Sequence, residues 1–384
     1  MYPPPAGEVL TPEQARELDD TFLASNPFEY FRSRIASLLS WAEHAPRPAD
    51  SDEPAPEEGQ SLASPLRAEF NAHLGQTIAD MPFKKLDVDA QIAADALALR
   101  HHAAEALVRL ACARLAPKPT DQTQGLWAAI ANGPFGIGEV IARLSKSAHE
   151  RDPEDRFIRV TLPPDEREHA RVRPEVAEGV NVLVAWLGYA VALLSPAQID
   201  LHGAHNKVKH GLAVRPRADM RVELIAGPLP SPEAIPVSVF NRDTTVTIFD
   251  RPVLELLARG PKTDGQHQGL ELTQLRLNAA ALLADAFMIA MTHGAMFHVA
   301  AVEHFAGRED LPDFVAPPAF PGLPSNGPRP QNIDADAPLG MRFPLTAPPG
   351  GGPVAREAGI GFRTYFQSLQ IDHGGRVDGR VVDG

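Results

Sequence analysis

The chain carries almost no cysteine: Cys112 is the single one in 384 residues. One thiol cannot form an internal disulfide, and with no Cys-x-x-Cys there is neither a thiolate zinc site nor a dithiol redox centre. Cys112 sits in an apolar helical pattern, where it reads as a small buried hydrophobe. Aromatic residues are scarce, at 6%, and 36 Lys and Arg are outnumbered by 49 Asp and Glu. The resulting net charge of -13 excludes whole-surface attraction to nucleic acid or anionic lipid and leaves room only for a local basic patch. The segment Met1-Tyr2-Pro3-Pro4-Pro5 lacks the basic region and apolar core of a secretory signal, so the cytoplasm is the expected location.

The common catalytic signatures are missing as well. The sequence has no Walker-type phosphate loop, no His-Glu-x-x-His zinc helix and no Gly-x-Ser-x-Gly elbow. Gly133-Pro134-Phe135-Gly136-Ile137-Gly138 is glycine-rich, but no strand precedes it and the nucleotide spacing is absent, so it reads as a helix break. Glu166 and His169 form one Glu-x-x-His with no second copy to complete a di-iron bundle site. His293, His298 and His304 are five and six residues apart, which at about 100° per residue puts neighbours on different helix faces. His293 and His304 share a face but stand about 16 Å apart along the axis, too far for one ion. No metal and no cofactor are expected.

What is abundant is proline, 38 residues, and glycine, 29, gathered towards the ends around a chain that is 44% hydrophobic. Thr11-Pro12-Glu13-Gln14 is a helix start with Thr as N-cap, Pro at the first helical position and Gln closing a capping box. It predicts a helix to Leu23, followed by another over Pro27 to Glu43, the pair docking on the main body. Pro46 to Gly59 reads as a solvated linker. Helical spacing then predicts helices over Leu66 to Met81, Val88 to Leu115, and Leu126 to Ser145 with a break at Asn132-Gly133-Pro134. Arg151 to Pro174 reads as a charged connection, and Pro174 to Leu194 as an apolar helix. Alternation predicts strands over Met220 to Ile225, Val237 to Phe240 and Thr244 to Phe249, the last two as a hairpin. Pro252 to Arg259 reads as a helical turn or two, and Gly269 to Gly307 as a nearly continuous core helix. Beyond Gly307 the chain should be irregular, save a short strand within Phe362 to Ile371.

The expected fold is therefore mainly α: a helical bundle with a small antiparallel β insertion and an irregular Pro/Gly-rich C-terminal tail. The expected divisions are a helical pair at 1–45, a linker at 46–63, the bundle at 64–307 with its insertion at 217–250, and the tail at 308–384. Val180 to Leu194 is too short to span about 30 Å of hydrocarbon, and Asn278 to Val302 carries Asp285 and two histidines. Both read as core helices, and no membrane partner is expected.

Chemistry concentrates in Ser195 to Gly211, which holds His202, His205 and His210 with Asn206, Lys207 and Lys209. Imidazole is the side chain poised nearest neutral pH, so His205 and His210 form a candidate proton-transfer pair. Asn206 can orient a histidine or a phosphate oxygen, and Lys207 and Lys209 can hold a polyanion. From His205 to Arg221 there are five Lys or Arg and one acidic residue, Asp219, against the acidic whole. The plainer alternative is a polar helix C-terminus, with Lys and His at the negative end of the dipole and Gly211 following it.

Asn206-Lys207-Val208-Lys209-His210 resembles the second half of the Arg-Asn-x-x-x-His motif of HEPN domains, helical bundles found in metal-independent ribonucleases of toxin–antitoxin and phage-defence systems. Arg100 to Arg109 is similar to an early core helix of such bundles. The resemblance covers about 86–211. It implies His210 as acid/base, Asn206 as the orienting residue, RNA as the partner and a homodimer in which two motifs face each other. His205 stands where the family has arginine, and a histidine supplies positive charge only when protonated. Two readings follow: a HEPN-like ribonuclease or RNA-directed defence protein using His210, His205 and Asn206 with Lys207 and Lys209 on phosphate, or a non-catalytic helical module binding a protein or small ligand.

Overall fold

A computed structural model describes residues 10–44, 65–74, 88–115, 125–134, 136–148, 153–195, 201–210, 213–218, 222–225, 245–249, 252–259, 268–309, 330, 340–349, 366–371 and 377–382. In chain order the helices are α1 (Pro12–Leu23), α2 (Pro27–His44), α3 (Pro65–Leu74), α4 (Val88–Leu115), α5 (Leu126–Ala131), α6 (Ile137–Ala148), α7 (Pro153–Thr161), α8 (Arg167–Val172), α9 (Pro174–Leu194), α10 (Leu201–Lys209) and α11 (Ala279–Phe305). The strands are β1 (Val214–Arg217), β2 (Val222–Ile225), β3 (Thr245–Phe249), β4 (Val253–Arg259), β5 (Leu270–Arg276), β6 (Gly340–Pro344), β7 (Phe366–Ile371) and β8 (Val377–Val382). The protein is mainly α with small antiparallel sheets. The expected linker and the expected strand Val237 to Phe240 lie outside the described residues.

The core is built on α4, which packs along α11 and also meets α2, α6, α9 and α10. Its alanines explain the fit: Ala93, Ala96, Ala103, Ala104 and Ala111 are enclosed, so neighbouring helices approach closely while Leu97, Leu107 and Leu110 fill the gaps. Each such leucine contributes about 2 kcal/mol of apolar burial. α11 is buried on most of its circumference, as a helix hydrophobic all round should be, and Gly307 with φ 74° terminates it. By length and composition α9 and α11 could each cross a membrane; α11 is instead wrapped by α1, α2, α4, α7 and α9.

Polar ties link these helices. Tyr189 on α9 donates to Asp285 Oδ2 on α11 at 2.6 Å, and Arg100 on α4 donates to the same oxygen at 3.3 Å. Burial, opposed by the charge of Arg100 and aided by the Asp285 carboxylate, raises the Tyr189 phenol above its ordinary value. The capping box is present as expected: Gln14 N–H donates to Thr11 Oγ1 and Thr11 N–H donates to Gln14 Oε1. Asp19 on α1 accepts from the Leu126 and Trp127 amides and so caps α5.

Four expectations change. Arg151 to Pro174 contains α7 and α8 rather than a bare connection, because Ile158, Val160 and Ala170 turn inward against the bundle. Val253 to Arg259 is a strand and not a helical turn, and the expected late helix begins only at Ala279, since Leu270 to Arg276 is also a strand. β4 lies between β1 and β5 in the antiparallel order β1-β4-β5-β6. Val253 to Leu256 are buried on both faces of the strand, so this apolar run looks the same as a buried helix segment. β6 comes from the expected irregular tail, and Leu345 N–H donates back to the Leu270 carbonyl. There the Thr346 carbonyl lies where a Cβ on Gly269 would stand, so only glycine fits.

Candidate functional site

Residues 201–209 form a separate nine-residue helix, α10, lying on α4, α9, β1 and β4. Leu201, Ala204 and His205 are buried on its inner face, and Val208 packs against the same core. Gly203, Asn206, Lys207 and His210 lie on the outer side, where they form one wall of a groove of about 490 Å³. The motif residues are thereby divided. His205 and His210 are five positions apart, about 140° around the axis, and the same arithmetic that separates the late-helix histidines separates this pair. Lys209 is exposed and is not among the residues lining the groove.

Inside, the His205 ring stacks on His101 of α4 at 5.3 Å between centroids with planes 13° apart, and His202 lies 6.4 Å from His205. His101 Nδ1 is 2.9 Å from the Leu97 carbonyl, which can only accept, so the proton is on Nδ1. The Asn206 amide nitrogen is 3.1 Å from His202 Nε2 and donates to it. Among the described residues, His101 Nε2, His202 Nδ1 and His205 Nδ1 are enclosed without a hydrogen-bond partner. Burial, then the Lys209 ammonium and His202, pushes His205 down to about 4. Burial, then the Arg100 guanidinium, holds His101 well below its ordinary 6.5. These rings are neutral around pH 7, and a neutral His205 cannot supply the charge that arginine gives in the family motif.

Glu105 and Arg109, one turn apart on α4, make the ion pair their spacing predicts, at 2.8 Å. The pair is half-buried rather than superficial, and Arg109 also donates to the Pro134 carbonyl at the break before α6. Burial raises the Glu105 carboxyl, but the Arg109 hydrogen bond and charge outweigh it and lower it overall. Arg100, in the stretch similar to a HEPN core helix, is turned to Asp285.

The opposite wall comes from β4 and β5. Leu256 pairs with Thr273 and Ala258 with Glu271, so these four share the sheet face towards α10 and line the groove. Arg259, at the end of β4, lines it too and donates to the Gln268 carbonyl at 3.3 Å. The sequence did not mark these residues, because their segments read as helical and no local signal sets them opposite α10. Their own alternation, Leu270, Leu272 and Gln274 against Glu271, Thr273 and Leu275, was the signal available.

His293 is buried and stacked on Phe297 at 6.0 Å, whereas His304 is 2.6 Å from Asp20. Burial, then His102, pushes His293 down to about 4. Among the described residues no three His, Cys, Asp or Glu side chains are grouped to hold a metal ion. Comparison of the chain with protein-family models, curated proteins and solved structures finds no match.

Proposed function

We propose that the groove between α10 and β4–β5 holds RNA, and that the chain is a HEPN-like metal-independent ribonuclease with His210 as its acid/base. The observation that carries this reading is that Asn206, Lys207 and His210 line one wall while Arg259 lines the other. Lys207 and Arg259 then take the phosphate, with Lys209 beside the groove adding to the local field. The His210 imidazole accepts the 2′-hydroxyl proton as O2′ attacks the adjacent phosphorus. The 5′-oxygen leaves with a proton, returned by the imidazolium or by His210 of a second copy, and a 2′,3′-cyclic phosphate remains. His205 is given a packing role against His101, and Asn206, which lines the groove and is tied to His202, the orienting role that the resemblance implies.

A second reading, an RNA- or ligand-binding module without chemistry, is favoured by the inward turn of His205, which leaves one motif histidine at the groove. The test is RNA cleavage in EDTA with analysis of the product termini. The expected result is a 2′,3′-cyclic end and a loss of about 100-fold or more in His210→Ala at unchanged Tm. Equal cleavage by the variant overturns the assignment, and tight binding without cleavage in the wild-type protein selects the second reading.

A further inference from the structure

Resting on the reading of the groove as an RNA site, we infer that it contains a guanine subsite read by Glu271. The shared chemistry is a guanine base carrying a phosphate, and an RNA strand is the form argued for. The groove lies within the roughly 300–1,000 Å³ of small-molecule sites and mixes three kinds of lining. Lys207, His210 and Arg259 suit phosphate. Leu256 and Ala258 offer apolar surface for the flat face of a base. The remaining feature is a carboxylate, Glu271, only 7% exposed, with the Thr273 hydroxyl two residues along the same face of β5.

A carboxylate lining an anion site disfavours phosphate beside it even when a protein group also holds it, so that part of the groove suits a neutral part of the ligand that donates hydrogen bonds. Glu271 can be held by protein groups and still receive ligand donors, because a carboxylate has about four lone-pair positions. The nucleobases differ sharply at such an acceptor. Guanine presents two adjacent donors, N1–H and the 2-amino group, which match the two carboxylate oxygens, and its O6 can accept from Thr273. Adenine places the N1 lone pair beside its amino group, cytosine places N3 beside its own, and uracil flanks its single N–H with two carbonyls. Each of these sets at least one lone pair against the carboxylate, and leaving a buried acceptor mismatched is what makes polar recognition selective.

The experiment measures binding of the full chain to single-stranded RNA decamers by fluorescence anisotropy. Each decamer carries one central G, A, C, U or inosine, with 2′-fluoro sugars that block cleavage. The G decamer is expected to bind about tenfold tighter than the A decamer, and inosine, lacking only the 2-amino donor, to lose most of that advantage. Glu271→Gln is expected to abolish the preference while retaining the A-decamer affinity; the inosine arm needs no variant, so misfolding of Glu271→Gln leaves the inference testable. Equal affinity for G, A and inosine overturns the guanine subsite and spares the RNA reading. Binding of free guanosine monophosphate over adenosine monophosphate, without RNA binding, supports the subsite and overturns the strand. No binding of any RNA or nucleotide overturns both.

Discussion

The inner and outer faces of α10 carry the same residue types into opposite surroundings. On the inner face His205 is 4% exposed against an enclosed His101, and burial holds it neutral. On the outer face His210 stands exposed beside a groove with cations on both walls. A histidine in the core behaves as a flat, polarisable packing unit; one at a groove keeps access to solvent and ligand. Proximity in sequence therefore says little about shared chemistry when the spacing is five residues on a helix.

The strongest way to break this contrast is His205→Arg, which places there the arginine of the HEPN motif that this stretch resembles. If the inner face is core, a permanent charge against neutral His101 lowers stability by about 3 kcal/mol in urea denaturation at pH 7. Unchanged stability with a gain in RNA binding would place His205 at the ligand instead.

Acid pH is the next test. The folded protein holds His205 and His293 at about 4, below their ordinary 6.5, so the unfolded chain binds protons first as pH falls. Their contribution is present above pH 6.5 and is lost on descending towards 4, by about 3 kcal/mol for each. His205→Gln should flatten the stability profile across that window, measured by urea titrations at several pH values. A profile parallel to that of the wild-type protein would show that His205 is not kept neutral by burial.

The outer face should respond in binding rather than in stability. Lys207→Glu is expected to weaken RNA binding about tenfold and reduce the log–log salt slope by about one, with unaltered Tm. Smallest of all, His210→Ala should change unfolding free energy by less than about 0.5 kcal/mol, as an exposed helix-end residue should. A loss comparable to that of His205→Arg would erase the distinction between the two faces.

Much of the helical framework was legible because its signals are local. Thr11 and Gln14 announce α1, Asn132-Gly133-Pro134 separates α5 from α6, and the unbroken apolar pattern of α11 marks a core helix. The β4 and β5 segments were not legible, since VLELLAR and LELTQLR satisfy helical and strand patterns about equally and only pairing decides between them. Half of the candidate site was hidden for the same reason: Arg259, Glu271 and Thr273 lie far along the chain from α10 and meet it only through the sheet register.

By itself the sequence determined that the chain is mainly α, that it forms no internal disulfide, and that its densest chemistry lies between His202 and His210. Tertiary structure decided which of those histidines stays neutral in the core and which faces a groove. The division has a physical cause: α10 buries whichever side carries Leu201, Ala204 and Val208, and His205 goes inward with that apolar stripe.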